Sequence, residues 1–236
     1  MSLGTLYCLP HAGGGVASYA PWRTKLGPQI EVRALQLPGR ESQLHLPPIA
    51  DLPALVRHLI SSQLSNVSSN YFFYGHSMGA LLAFELTLEL RRRGAPLPRK
   101  LYLSGRRSPS LALNGPLLSQ LPDAQFVQQL RLRYQGIPQR LLDEPELLKL
   151  FLPALRADFA LNENYRFQLS PPLDCPILLL TGRDDPTVTR AELEPWRQLT
   201  RGLVEVIELP GGHFFLHDDP ALFLQTLRAD LARFEP

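Results

Sequence analysis

Two kinds of hydrophobic pattern alternate along the chain. Short runs in which nearly every residue is apolar occur at Leu6-Tyr7-Cys8-Leu9, Tyr71-Phe72-Phe73-Tyr74, Leu101-Tyr102-Leu103-Ser104 and Ile177-Leu178-Leu179-Leu180-Thr181, with more polar versions at 31–35 and 203–209. Such runs are too short for a stable helix, and each predicts a strand. Between them the period changes. Apolar residues at 52, 55, 56, 59, 60 and 64 fall on one face of a helix spanning 51–64, and similar spacing predicts helices over 18–26, 78–90, 125–134, 145–162 and 219–234. Strands that are apolar on both faces and alternate with helices predict an α/β fold, a mostly parallel sheet covered on both sides. One interval breaks the rhythm. Residues 109–174 are rich in Leu, interrupted by Pro and free of any strand signal, which is too long for a simple crossover. They predict a helical lid inserted over the C-terminal edge of the sheet, with some of its apolar residues lining an acyl channel.

Length and composition narrow the picture. A chain of 236 residues buries one large core, so 1–236 is expected to be a single domain with 109–174 as its insertion. Twenty-four basic against 22 acidic residues leave a net charge of +2, which argues against a nucleic-acid partner. No apolar run approaches membrane-spanning length, and the first residues lack a basic segment followed by a long apolar one, so a cytoplasmic location is expected. Cys8 and Cys175, each at an apolar strand, are expected as packed free thiols rather than a disulfide. The cationic run Arg91-Arg92-Arg93 before Gly94 is the signature of a helix end, and a docking surface for an acidic partner is the alternative.

The candidate chemistry sits where the third strand gives way to a helix. Gly75-His76-Ser77-Met78-Gly79 has the pattern of a nucleophile elbow, a strained turn that lifts a serine hydroxyl clear of the sheet at a helix N-terminus. Gly75 and Gly79 suit it, because side chains there would collide where strand and helix pack closely. Acyl transfer also needs donors for the developing oxyanion. One is expected to be the amide of Met78. The other is assigned to the amide of Ala12 in the loop His11-Ala12-Gly13-Gly14-Gly15, with Gly13 as the alternative. That loop lacks both the Gly-Lys-Ser/Thr ending of a P-loop and the glycine spacing of a dinucleotide fingerprint.

A serine of this kind requires a base and a carboxylate, in the chain order Ser, acid, His. His213, in Pro210-Gly211-Gly212-His213-Phe214 directly after the last strand, is the expected base; His217 lacks such a setting. Thr181-Gly182-Arg183-Asp184-Asp185-Pro186 supplies the acid, read as Asp185, with Asp184 left to local turn hydrogen bonds. Ser104-Gly105-Arg106-Arg107, after the preceding strand, offers no carboxylate. His11, His76, His45 and His58 receive supporting or surface roles. No metal site is expected, since His213 and His217 lack metalloprotease spacing.

Taken together these residues resemble one family, the type II editing thioesterases that accompany non-ribosomal peptide and polyketide synthases. The matching pieces are Leu9-Pro10-His11-Ala12-Gly13-Gly14, Leu37-Pro38-Gly39-Arg40, Tyr74-Gly75-His76-Ser77-Met78-Gly79-Ala80, Ser104-Gly105-Arg106-Arg107, the segment from Leu152 through Asp158 to Phe159, Gly182-Arg183-Asp184-Asp185-Pro186, and Pro210-Gly211-Gly212-His213-Phe214. They span nearly the whole chain. The resemblance implies an α/β-hydrolase fold and a monomeric serine hydrolase without a cofactor of its own. It also implies a reaction: release of stalled or aberrant acyl groups from the phosphopantetheine thiol of acyl- or peptidyl-carrier proteins. An esterase, lipase or acyltransferase of the same fold, and a non-catalytic carrier-binding protein, are the alternatives.

Overall fold

The computed structural model describes residues 3–112, 116–134 and 144–234. Six strands, β1 (Gly4–Leu9), β2 (Ile30–Ala34), β3 (Tyr71–His76), β4 (Leu101–Ser104), β5 (Ile177–Gly182) and β6 (Val204–Leu209), form one sheet in the order β2-β1-β3-β4-β5-β6. Every neighbouring pair is parallel. All six predicted strands are present, and the expected mostly parallel sheet is parallel throughout. In such a sheet all C-terminal ends lie along one edge, and loops diverge where the strand order reverses. Here the reversal falls between β1 and β3. The glycine-rich loop and the serine turn therefore open side by side.

Both faces of the sheet are buried. In β1, β3 and β5, Leu6, Cys8, Phe72, Tyr74, Leu178 and Leu180 enter one core with Trp22 and Phe223. Their sequence neighbours Tyr7, Leu9, Tyr71, Phe73, Ile177 and Leu179 enter the other, beside Leu59 and Phe84. This period-two division is why the strand signals read as unbroken apolar runs. Helices α1 (Trp22–Leu26), α2 (Leu52–Gln63) and α3 (Met78–Arg92) follow the first three strands. The helix expected over 18–26 is broken: a 3-10 turn at Val16–Tyr19 precedes α1, with Pro21 at the α1 N-cap. Pro21 has no amide to carry a helix through, but its fixed φ suits a helix start.

Between β4 and β5 lie α4 (Asp123–Tyr134) and α5 (Pro145–Asn164), where helical spacing predicts them. Leu118, Phe126, Leu130, Leu152 and Leu155 form a small core of their own there. Positions 113–115 and 135–143 of the expected lid lie outside the described residues. After β5 come α6 (Arg190–Leu193), α7 (Phe215–Asp218) and α8 (Pro220–Leu231). The helix expected over 219–234 is thus α8 followed by a 3-10 turn at Ala232–Phe234, its start fixed by Asp219, whose carboxylate accepts the Leu222 amide. Cys8 and Cys175 are buried free thiols. Among the described residues no helix is long and apolar enough to cross a membrane, and no cluster of His, Cys, Asp or Glu could hold a metal ion.

Candidate active site

β3 ends at His76 and α3 starts at Met78, so the whole reversal is made by Ser77. Its φ of 54° lies in the left-handed region, a conformation that costs a residue other than glycine about 1–3 kcal/mol. Packing imposes it. A Cβ on Gly75 would lie 2.0 Å from the Gly79 carbonyl oxygen, and one on Gly79 would lie 2.1 Å from the Leu9 oxygen. Strand, helix and neighbouring strand therefore meet backbone to backbone, leaving no room for a gentler turn. The Ser77 amide donates to the Ser104 carbonyl (2.7 Å), and the Ser77 carbonyl accepts the Ala80 amide (3.1 Å). In the run 71–84 Ser77 is the one residue that is not buried. Met78, the first residue of α3, carries an amide that no carbonyl of its own helix can reach.

The loops after β5 and β6 are knitted together. Arg183 donates its amide to the Leu209 carbonyl (2.8 Å) and Asp184 to that of Gly211 (3.0 Å). Gly182 is required for this contact rather than for a turn alone, because a Cβ there would fall 2.1 Å from the Gly212 oxygen. The crossing brings Asp185 against His213. Nδ1 of the imidazole donates to Asp185 Oδ2 at 2.8 Å, with side-chain exposures of 5% for His213 and 0% for Asp185. Thr187 completes the group: its amide (2.8 Å) and hydroxyl (2.7 Å) both donate to Asp185 Oδ1, and its oxygen also accepts from His213 Nδ1 (3.0 Å). Burial pushes the Asp185 carboxyl up. The hydrogen bond to His213, the imidazole charge and the two bonds from Thr187 outweigh it and hold the group below its ordinary value.

Asp185 also makes the local turn bonds expected of Asp184, whose side chain is exposed. Thr187 is the residue that sequence reasoning missed. A threonine two positions after an aspartate is the spacing of a side-chain turn and could have signalled it.

Ser77 and His213 line one cleft of about 940 Å³, together with Gly105, Tyr165, Pro186 and Val188. On the other side of the serine, the Gly14 amide closes back on the His11 carbonyl (2.9 Å), and the Gly13 amide donates to Asp158 Oδ2 (2.7 Å). Gly13, the alternative oxyanion donor, is thus already engaged, while Ala12 carries the candidate amide.

Three further imidazoles surround Phe214, and one of them also packs on His213. His76 is fully buried with its ring 5.0 Å from that of His213, and Nδ1 contacts the Ser104 hydroxyl at 2.9 Å. Loss of hydration, then the imidazoles His213, His11 and His217, push His76 well below its ordinary value. Burial, followed by His217, His213 and Arg40, lowers His11 to about 3. His217 is lowered by burial against a weaker opposing pull from Asp218. Burial thus disfavours the charged form of all three rings beside His213. His45 is exposed and His58 half-buried on α2.

Residues 4–231 match the thioesterase domain family. The chain is 37% identical over 232 residues to linear gramicidin dehydrogenase LgrE of Brevibacillus parabrevis, covering 97% of this chain and 88% of that one. Among solved structures it superposes on the RedJ thioesterase of the prodiginine pathway in Streptomyces coelicolor with a TM-score of 0.89, at 34% identity over 97% of this chain and 86% of that one. YbtT, a type II thioesterase from the yersiniabactin NRPS/PKS pathway, gives a TM-score of 0.86 at 30% identity, covering 99% and 94%. An all-parallel sheet, a serine at a strained elbow and a buried carboxylate–imidazole pair whose imidazole lines the serine's cleft accompany these similarities: the chain belongs to the thioesterase family and is a thioesterase of α/β-hydrolase fold.

Proposed function

We propose that this thioesterase releases acyl groups from the phosphopantetheine thiol of carrier proteins in non-ribosomal peptide or polyketide synthesis, with Ser77 as nucleophile, His213 as base and Asp185 as acid. The observation that carries the reading is the buried Asp185–His213 pair at 2.8 Å, whose imidazole lines the same cleft as Ser77. Because Nδ1–H is committed to Asp185 and Thr187, the neutral ring keeps its lone pair on Nε2, the tautomer a base requires. His213 takes the Ser77 proton as Oγ attacks the thioester carbonyl carbon. The amides of Met78 and Ala12 hold the oxyanion. The C–S bond then breaks, the imidazolium proton passes to the departing thiol, and an acyl-serine remains. Water, deprotonated by His213, attacks that ester, and proton return to Ser77 Oγ frees the acid and the enzyme.

The segment 109–174, with α4 and α5, serves as the lid that selects the acyl chain, and Tyr165, Leu111 and Leu117 give the cleft apolar wall on that side. The dehydrogenase in the name of one relative would call for a loop open to a pyrophosphate. Here a Cβ on Gly13 would meet Leu155 and one on Gly15 would meet Glu41, so protein already fills those positions.

Intact-mass analysis of a panel of acyl-loaded carrier proteins tests the reading. Loss of the acyl mass with the wild-type protein, and its retention with Ser77→Ala, is expected, the rate falling by about 10⁶-fold. Faster cleavage of simple oxygen esters than of any loaded carrier would overturn the carrier assignment.

A further inference from the structure

The loop after β1 is held from two directions by residues that the reaction scheme leaves without a role. From the turn after β2, Arg40 Nη1 donates to the Gly14 carbonyl (3.0 Å), and the adjacent Glu41 accepts the amides of Val16 (2.7 Å) and Ala17 (3.0 Å). From α5, Asp158 accepts the Gly13 amide at 2.7 Å. The two grips are one unit: Arg40 Nη1 and Nη2 each donate to Asp158 at 2.7 Å, with side-chain exposures of 5% and 2%. Leu155, one turn earlier on α5, rests on the same loop, since a Cβ on Gly13 would fall 2.8 Å from its Cδ1. One turn later Asn162 donates to the Asp158 carbonyl and accepts Arg106 Nη1, both at 2.8 Å, reaching the loop after β4. A single face of α5 therefore links the loop after β1 to the loop after β4.

A buried ion pair is a poor way to gain stability, because dehydrating two charges offsets most of their attraction. This pair nevertheless sits on the most pliable backbone of the site. Gly13-Gly14-Gly15 can rotate its peptide planes at little cost, and Gly13 already has a φ of 78°. Free rotation there would carry the Ala12 amide away from the oxyanion.

We propose that Arg40 and Asp158 are positioning residues: by engaging the Gly14 carbonyl and the Gly13 amide they leave Ala12 as the loop's donor and tie oxyanion geometry to the seating of α5. The inference rests on the acyl-transfer reading above. It means that the lid segment does more than choose substrates, because α5 out of place would leave the serine without its second donor.

Two double variants test it, both removing the buried charges so that folding is preserved. Arg40→Met/Asp158→Leu abolishes the acceptor for Gly13, whereas Arg40→Met/Asp158→Asn restores a neutral one. With the N-acetylcysteamine thioester of a short fatty acid as substrate, and active sites counted by fluorophosphonate titration of Ser77, kcat per titrated site is expected to fall about 10²-fold in the first variant, the scale of a 1 Å misplacement. Most of that loss is recovered in the second, while KM and Tm stay near the wild-type values in both. Equal kcat per site in the two variants, or a loss confined to Tm, would overturn the assignment. Failure of wild-type Ser77 to react with the phosphonate would instead sink the nucleophile reading, so the two failures are distinguishable.

Discussion

The two ends of the sheet each bury a carboxylate against a cation-forming partner, yet they do different work. At the N-terminal end Lys100 donates to Glu205 (2.7 Å) and to Asp230 (3.0 Å), Tyr102 donates to Asp230 (2.9 Å), and Arg233 reaches both carboxylates at 2.9 Å. This network fastens α8 to β4 and β6, far from the cleft that Ser77 lines. At the C-terminal end the partner of Asp185 is the His213 imidazole, which lines the cleft with Ser77. A buried ammonium makes a carboxylate into a clasp; an imidazole lining an open cleft suits its carboxylate to the support proposed above.

Substitutions should separate the two roles. Asp185→Asn is expected to lower kcat by about 10⁴-fold while leaving Tm nearly unchanged, because the wrong imidazole tautomer is then favoured. Asp184→Asn, at an exposed side chain, should alter the rate by no more than about twofold. A crippling Asp184→Asn with a mild Asp185→Asn would reverse the choice of acid. Lys100→Met should do the opposite of Asp185→Asn, costing about 3–5 kcal/mol in chemical denaturation by leaving Asp230 short of its buried cation. Its kcat per folded molecule should be that of the wild type.

Thr187→Val removes one hydroxyl bond to the Asp185 carboxylate, about 1.5 kcal/mol, and should reduce kcat about tenfold with KM unchanged.

The two ends should also part company in the pH dependence of stability. His76 is held neutral when folded but takes up a proton when unfolded, so its contribution is complete above its ordinary value of 6.5 and is lost as pH falls below it. The slope is about 1.4 kcal/mol per pH unit. Glu205 is held below its ordinary value of 4.5, first by the hydrogen bond from Lys100 and then by that from Arg233. Its contribution is present above pH 4.5 and vanishes only below. Urea titrations should therefore show His76→Asn flattening the pH 5–6.5 limb and Glu205→Gln flattening the limb below 4.5. A His76→Asn profile parallel to the wild type would show that the ring beside the base is not held neutral.

Much of this was legible from residue order. Apolar runs marked β3 and β4, and the glycines of the elbow are close-contact positions as their spacing predicts, since only backbone fits where Gly75 meets Gly79. The break in the first helix at Pro21 was less legible, because a proline signals a helix start and a helix end with equal force. The segments around Arg40 and Asp158 stood out as motif pieces without a role, for these residues are 118 positions apart and nothing local links them.

What the sequence determined alone was the set of short-range consequences: period-two and period-3.6 burial, the turn at Ser77, and the order of Ser77, Asp185 and His213 along the chain. What only the tertiary structure decided was which groups meet. Asp185 rather than Asp184 faces His213 because the β5 and β6 loops cross at Gly182 and Gly212, and Gly13 is spent on Asp158 because α5 folds back over the sheet edge. Hydrogen bonds depend on angstroms and direction, and such distances arise only when remote segments pack, whereas hydrophobic periodicity is written into adjacent residues.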